Sequence, residues 1–403
     1  MSEIRVTNVL GENGNSPVNF TKGINMSGIV TATSFVPTVG QLSHRNIIVN
    51  GACNIAQRAT SATSTSVRTV DRWGFQGNWP GSAMTQSQSN VASGTTPYQS
   101  GFRKAFKIAN VNQTSTGASN YIEVFYKIEA QDIAKSGWNY TDPNSFITLS
   151  FWVKSSVAQT FYLYLMTRDG TQSTYAFSTG ALTADTWTKI EQSVPGFSGL
   201  TFDDNEGSGL EIYIPTYMGT GLTDNSRSLN TWAAHDAAKH TPDYDASWWN
   251  ASNATFEMTG MQLEVGSVAT PFEHRIVSDE LLLCQRYYFK LGKQDYIGTH
   301  MAAGEIYAIG MSDNDNVNIY GMINFPVRMR QPPTAIDQTG SAGDYRVRRD
   351  TSKGCTGVPT FVDAAEHYCR VNFPSSSHGW GTGQMLWCQS AGSSGYLGFS
   401  AEL

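Results

Sequence analysis

The sequence predicts an all-β protein: a jelly-roll β-sandwich followed by a smaller antiparallel β domain. Two observations carry that expectation. Composition comes first: 40% of the 403 residues are hydrophobic and 12% aromatic, with 38 glycines, while only 15% are charged, against roughly 25% in an average soluble domain. Ser, Thr, Asn and Gly therefore supply most of the polar surface, which suits many short strands joined by turns. The second observation is a period of two in the apolar residues, repeated along the chain and punctuated by turn dipeptides, with one credible helix.

In chain order, residues 1–40 contain "IRVTNV" and "GIVTATSFV" separated by "GENGNSP". These pieces are strand-prone but too poor in apolar residues to bury a core alone, so they need another chain or a particle to lean on. From 41 to 275 the strands alternate. "YIEVFYKI" sets Ile122, Val124, Tyr126 and Ile128 on one face, and "FITLSFWV" does the same with Ile147, Leu149, Phe151 and Val153. "FYLYLM" sets Phe161, Leu163 and Leu165 against Tyr162, Tyr164 and Met166, and "LEIYI" repeats the pattern. In "FEMTGMQLEV" the apolar phase slips by one residue at Gly260, which predicts a β-bulge. Residues 276–292 read as the connecting helix, with Ser278 as N-cap, Asp279 and Glu280 in the first turn and a stop at Gly292. Residues 293–403 return to strands such as "VNIYGMINF", "HYCRVNF" and "YLGFSAEL" and form the second, distal β domain.

Several function classes are disfavoured. Net charge is -6 and no Lys/Arg run could track a phosphate backbone, so no nucleic-acid partner is expected. There is no basic, then apolar leader pattern and no run of about 18 apolar residues, so neither a signal peptide nor membrane insertion is expected. Cys53, Cys284, Cys355, Cys369 and Cys388 lack C-x-x-C spacing and read as reduced thiols of a chain folded in the cytosol, with a Cys355 to Cys369 bridge as the alternative.

Catalysis has no motif behind it. A glycosidase needs two carboxylates in distinct environments, and Asp203, Asp204, Glu206, Asp243 and Asp245 all sit in turn-like sequence that keeps carboxylates solvated. "DDNEG" (203–207) and "DNDN" (313–316) offer hard oxygen ligands but fit no EF-hand loop. The seven histidines show no H-E-x-x-H pattern, and no G-x-S-x-G elbow is present. No cofactor and no metal site are expected, with a structural calcium at one of these acidic stretches as the minor alternative.

Binding has more to offer. Residues 219–255 lack a sustained period and carry Tyr244, Trp248 and Trp249, rings that could stack on a sugar or, more plainly, cap the sandwich or a subunit contact. "SSSHGWGTG" (375–383) sets His378 and Trp380 among glycines, as in a tip loop, with packing again the plainer alternative. Asp71, Arg72 and Trp73 of "DRW", and Trp232 of "LNTW", read as locks of the sandwich.

Taken together, "NIIVNGACNIAQR", "DRWGF", "LSFWVKSS", "LNTW", "MQLEVGSVATPFEHR", "ELLLCQRYYFK", "PVRMRQPPTAI" and "GFSAEL" resemble tail-fibre and related structural proteins of tailed bacteriophages, especially marine ones. The stretch 259–290 is the most specific part, and residues 1–40 look like a particle-attachment segment. The resemblance implies a virion protein, often trimeric, with a jelly roll similar to carbohydrate-binding modules, and it marks framework rather than a site. The expected function is a non-enzymatic fibre on the virion, made in the host cytoplasm. It would assemble as a homotrimer through its N-terminal and sandwich segments, attach to other phage proteins through residues 1–40 and touch host glycan or protein. The competing reading is a capsule or lipopolysaccharide depolymerase on the same framework. A depolymerase is expected to show a β-helix repeat of roughly 20 to 25 residues, and the sequence shows none. Polarity then places host contact in residues 293–403, projected from the sandwich by the helix, with the Trp380 loop ahead of the Trp248 loop.

Overall fold

The computed structural model describes residues 43–81, 84–110, 113, 115–292, 306–313, 317–376, 378–391 and 394–403. The expected attachment segment 1–40 and most of the 313–316 acidic stretch lie outside them.

The chain is all-β, and among the described residues every strand pairs antiparallel. Two six-stranded sheets form the jelly-roll sandwich. The first runs Ser61–Ala62, Thr85–Asn90, Lys104–Ala109, Thr255–Val265, Phe146–Ser155, Thr188–Pro195; the second runs Trp232–Ala234, Ser173–Ala181, Thr160–Thr167, Ser208–Met218, Tyr121–Glu129, Gly74–Asn78. Alternation decides what lies between them. Ile147, Leu149, Phe151 and Val153 meet Phe161, Leu163, Leu165, Ile122 and Val124 in one buried cluster, and Phe161 meets Phe256 across the gap with ring centroids 5.0 Å apart. The other face of Phe146–Ser155 is covered as well, since Thr148 and Ser150 are buried and Thr148 donates to the Gly266 carbonyl.

The predicted bulge is present. Pairing of Thr255–Val265 with Phe146–Ser155 shifts between Thr259 and Gln262. Gly260 between them has φ of 67°, and a Cβ there would come 2.5 Å from the Phe102 ring. Both the left-handed backbone and the close approach require glycine.

Three single-turn helices, Thr96–Gln99, Ala130–Ala134 and Ser247–Asn250, were not expected. The connecting helix is shorter than its sequence suggests: it spans Val277–Gln285, with Ile276 rather than Ser278 at the N-cap. Residues Tyr288–Gly292 form a strand paired with Tyr396–Ser400. The aromatic run "YYF" is as compatible with a strand as with a helix, and the partner strand, about a hundred residues later, decides it.

The distal region has its own core, built from Phe289, Tyr345, Val371, Phe373, Cys388, Leu397 and Phe399 among others. Around it lie a three-stranded sheet (Tyr288–Gly292, Tyr396–Ser400, Ile336–Gln338) and a seven-stranded one. The latter is ordered Ser352–Gly354, Tyr345–Arg348, Met385–Ser390, Ile306–Ser312, Ile319–Asn324, Tyr368–Asn372, Thr360–Ala365. All five cysteines are free thiols.

The helix does not project this region away from the sandwich; the two are welded. Glu402 sits against Arg58, Arg68 and Arg72 at 3.3, 3.0 and 2.7 Å. Burial alone would raise its carboxyl, but the three guanidinium groups outweigh burial and hold it down at about 2. Arg72 also donates to the Lys127 carbonyl, and its guanidinium lies 3.4 Å from the Tyr287 ring centroid. Gln57 bridges Asp71 and the Tyr288 carbonyl. Arg286 forms a two-pronged pair with Glu129, which also accepts from the Tyr287 hydroxyl. Arg330 donates to the carbonyls of Ala401, Glu206 and Glu402. The exit from the sandwich belongs to the same weld: Glu273 accepts from the Asn46 amide, Arg275 donates to the Ile48 carbonyl, and Glu280 accepts from the Asn50 amide. The stretches that carry the phage-fibre resemblance therefore meet largely at one junction.

Candidate functional site: a ring-lined groove on the second sheet

Strand alternation turns a second set of side chains away from the sandwich core. On the outer face of the second sheet the register aligns Gly74, Phe125, Tyr213, Tyr164 and Ala176 in one row across five strands. Phe125 lies over Gly74 so closely that a Cβ there would sit 2.1 Å from the ring. Glu123, one residue pair along from Phe125 on the same face, lies opposite Gln76.

The segment after Met218 folds over this face and adds His235 and His240. The rings then form a ladder. Tyr213 and Tyr164 stack at 4.7 Å with 13° between planes, Tyr164 and His240 at 4.9 Å and 23°, and His235 follows at 5.3 Å from His240. Between this ladder, Gln76, Tyr121, Glu123, Met218 and Leu222 lies a groove of about 260 Å³. That is room for on the order of nine waters at liquid density.

Its electrostatics are unusual. Glu123 is 3% exposed. It accepts hydrogen bonds from Gln76 Nε2 at 2.7 Å and the Tyr164 hydroxyl at 3.2 Å, both neutral donors. Burial dominates, and with Glu211 nearby it pushes the carboxyl up to about 7. Glu211 is just as buried, yet held below its ordinary value: burial would raise it, but hydrogen bonds from Arg168 and Tyr213 and the charge of Lys127 prevail. Burial, helped by His235, pushes His240 down to about 4, so its ring is neutral near pH 7. The Nδ1 atoms of His235 and His240 are buried without a hydrogen-bond partner among the described residues.

Glu211 is saturated by Arg168, Tyr213, Ser208 and Lys127, which leaves it no lone pair free for attack. Glu123, Gln76 and the two imidazoles keep unused polar capacity facing a space walled by rings. That combination suits a neutral, hydroxyl-rich ligand with apolar ring faces. Among the described residues no three His, Cys, Asp or Glu side chains gather in a way that could hold a metal ion.

The residues singled out from sequence fall elsewhere. Trp248 and Trp249 are 0% exposed. Their indole N–H groups donate to the Thr255 and Ser115 carbonyls, and Trp249 stacks on Tyr217 at 4.4 Å. Neither can offer a face to a sugar; both belong to the sandwich core, because a large, mostly apolar indole gains most by burial once its N–H finds an acceptor. Tyr244 is half-buried and spends its hydroxyl on the Tyr162 and Pro215 carbonyls, holding the loop to the sheet. In the distal region His378 and Trp380 stack on each other at 5.4 Å and 19°. At 3% and 9% exposure they are packed rather than displayed, with Trp380 at the margin of the second core. The carboxylates Asp203, Asp204, Glu206 and Asp245 are exposed, and Asp243 is half-buried. Asp71, Arg72 and Trp73 are buried as locks, and Trp232 packs at the sandwich edge, donating to the Pro195 carbonyl.

No family model matches the sequence, and no curated protein matches it. Solved structures align weakly, each over about half of this chain. The enzymatically active domain of tailspike protein 4 from bacteriophage CBA120 aligns over 55% of this chain and 21% of its own, at 9% identity and a TM-score of 0.29; the chain thus spans about a fifth of that protein. A family 11 carbohydrate-binding module from Clostridium thermocellum, solved with a β-1,3-1,4-mixed-linked tetrasaccharide, aligns over 49% of this chain and 91% of its own, at 15% identity and a TM-score of 0.24. A putative sugar-binding protein from Bacteroides thetaiotaomicron aligns over 55% and 99%, at 12% identity and a TM-score of 0.28.

Proposed function

We propose that this protein is a non-enzymatic, oligomeric fibre component of a phage particle that engages host-surface glycan through the groove on the second sheet. The observation that carries the glycan reading is Glu123, a buried carboxyl with only neutral hydrogen-bond donors, facing a ring-lined groove. A sugar presents C–H faces to rings and hydroxyls to carboxyl, amide and imidazole groups, and the groove supplies all of these. The virion assignment rests on the resemblance described above.

The binding reading is preferred over hydrolysis because the second carboxylate, Glu211, is locked by its donors, whereas glycoside cleavage needs both an acid and a free base or nucleophile.

The test is titration of host lipopolysaccharide and capsule fragments into the full chain, beside a Tyr121→Ala variant. Tyr121 lines the groove and is half-exposed, so its loss spares the buried ladder. Loss of one stacking ring predicts binding weaker by about five- to 150-fold, from roughly 1–3 kcal/mol per stacked ring. Equal affinity of the two proteins would remove the groove as the site, and release of reducing ends would replace the binding reading by the depolymerase one.

A further inference from the structure

The seven-stranded distal sheet has one face on the second core and another that faces outward, and the outward face is apolar where a solvated sheet is normally polar. Ile309, Met311, Met322, Met385 and Trp387 are 55, 57, 54, 63 and 43% exposed. They are not scattered. Trp387 pairs with Ile309 and Ile309 with Met322, while Met385 pairs with Met311 and Met311 with Tyr320. Two adjacent rows of large apolar side chains thus run across the three central strands of the sheet.

Five such side chains, each about half exposed, present roughly 500 Å² of apolar surface. That lies toward the upper end of the roughly 300–600 Å² of the largest patch on an ordinary monomer. It is also close to the apolar share, about 60%, of the roughly 800 Å² that each partner buries in a standard interface. The chemistry is one aliphatic side chain, three thioethers and the single indole of Trp387, without convergent amide or carboxyl groups among the five, so the patch suits a protein surface rather than a glycan, which needs polar partners beside its ring contacts.

Charge at the ends of the rows selects the partner. Beyond Trp387 the same row continues to Arg348, and beyond Met322 to Arg370 and then Asp363. One end of the row carries a cation; the other ends in an acid that is 52% exposed and paired with Arg370. Turned about a two-fold axis, the same face sets Arg348 of one copy toward Asp363 of the other and apolar row on apolar row.

We infer that the outer face of the seven-stranded sheet is a self-association surface, covered in solution by the same face of a second copy of this chain. The inference stands apart from the glycan reading and survives its failure.

The experiment uses the full chain. Its mass is measured by sedimentation across a concentration series, and hydrogen peroxide oxidation of individual methionines is followed by peptide mass. Met311, Met322 and Met385 are expected to oxidise about tenfold more slowly in the associated species than in dilute protein, because oxidation follows exposure. A Trp387→Glu variant, or Ile309→Lys should that one fail to fold, is expected to restore rapid oxidation with its β-sheet circular dichroism unchanged. Rapid oxidation of the three methionines at micromolar concentration overturns the inference whatever the mass, since copies would then meet elsewhere or not at all. Slow oxidation in a monomeric species also overturns it, because the chain's own residues would then be the cover. Slow oxidation that the folded variant retains overturns it as well.

Discussion

Glu402, whose side chain is 7% exposed, and the buried Glu123 lie on the same molecule, and their carboxyls are displaced in opposite directions. At the junction between sandwich and distal region, three arginines surround Glu402 and hold its carboxyl at about 2. On the outer face of the second sheet, Glu123 has only Gln76 and Tyr164 as donors, and burial pushes it up to about 7. The difference teaches how to tell framework from site in a protein with few charges. A buried charge whose partners saturate it holds elements together, whereas one left with neutral partners and an open groove has capacity to spare for a ligand.

The largest effect that would break this comparison is at the junction. Glu402→Gln leaves Arg58, Arg68 and Arg72 clustered without their counter-charge, so it is expected to cost about 3–5 kcal/mol of stability in chemical denaturation. A cost below about 1 kcal/mol would mean that water already screens the cluster and that the weld is apolar. Trp248→Ala should cost a comparable 3–5 kcal/mol, as a large core deletion does, with the loss read as thermal stability rather than as glycan affinity.

The next effect separates the two glutamates by pH. Glu402 has its folded value below the ordinary 4.5, so its contribution is present above about pH 4.5 and disappears as pH falls toward about 2. Glu123 has its folded value above 4.5, so the folded state holds the proton more tightly than the unfolded one. Its contribution is present below about 4.5 and is lost as pH rises to about 7. Glu123→Gln should therefore be nearly neutral at pH 4 and stabilising at pH 8, by on the order of 3 kcal/mol if the whole difference is realised. Thermal melts of both proteins across that range check it. A variant destabilised equally at both pH values would show that the shape of the carboxyl matters and its charge does not.

What the sequence could show follows from the range of each interaction. Alternation placed Ile147, Leu149, Phe151 and Val153 on the core face, and the one-residue slip located the bulge at Gly260, because both are properties of neighbouring residues. The same alternation had already turned Tyr164 outward, and a carboxylate at Glu123 between outward-facing Tyr121 and Phe125 was a readable sign of the groove. In composition the tryptophan-rich loop is the louder signal, although its rings are buried. Trp248 and Trp249 looked displayed because their neighbours are polar, but their burial depends on the acceptors Thr255 and Ser115, which composition does not reveal. The weld was hidden for a different reason: Arg72 and Glu402 are 330 positions apart, and no local pattern announces such a pair. The helix ended early for the same reason, since Tyr288–Gly292 takes its conformation from Tyr396–Ser400.

The smallest expected effect supplies the lower limit of the comparison. Asp204, a candidate carboxylate from sequence, pairs with Lys135 at 2.5 Å, and both side chains are 64% exposed. In distance alone this contact is at least as close as any made by Glu402 or Glu123. Yet water competes for both partners and holding the long Lys135 side chain costs entropy, so Asp204→Asn should change stability by about 0–1 kcal/mol. That small change should shrink further at high salt, because exposed charges are screened. The same variant should leave glycan titrations unchanged, since Asp204 does not line the groove. A loss as large as that of Glu402→Gln would mean that proximity, and not desolvation and saturation, ranks the charges of this protein, and the distinction between its junction and its groove would no longer stand.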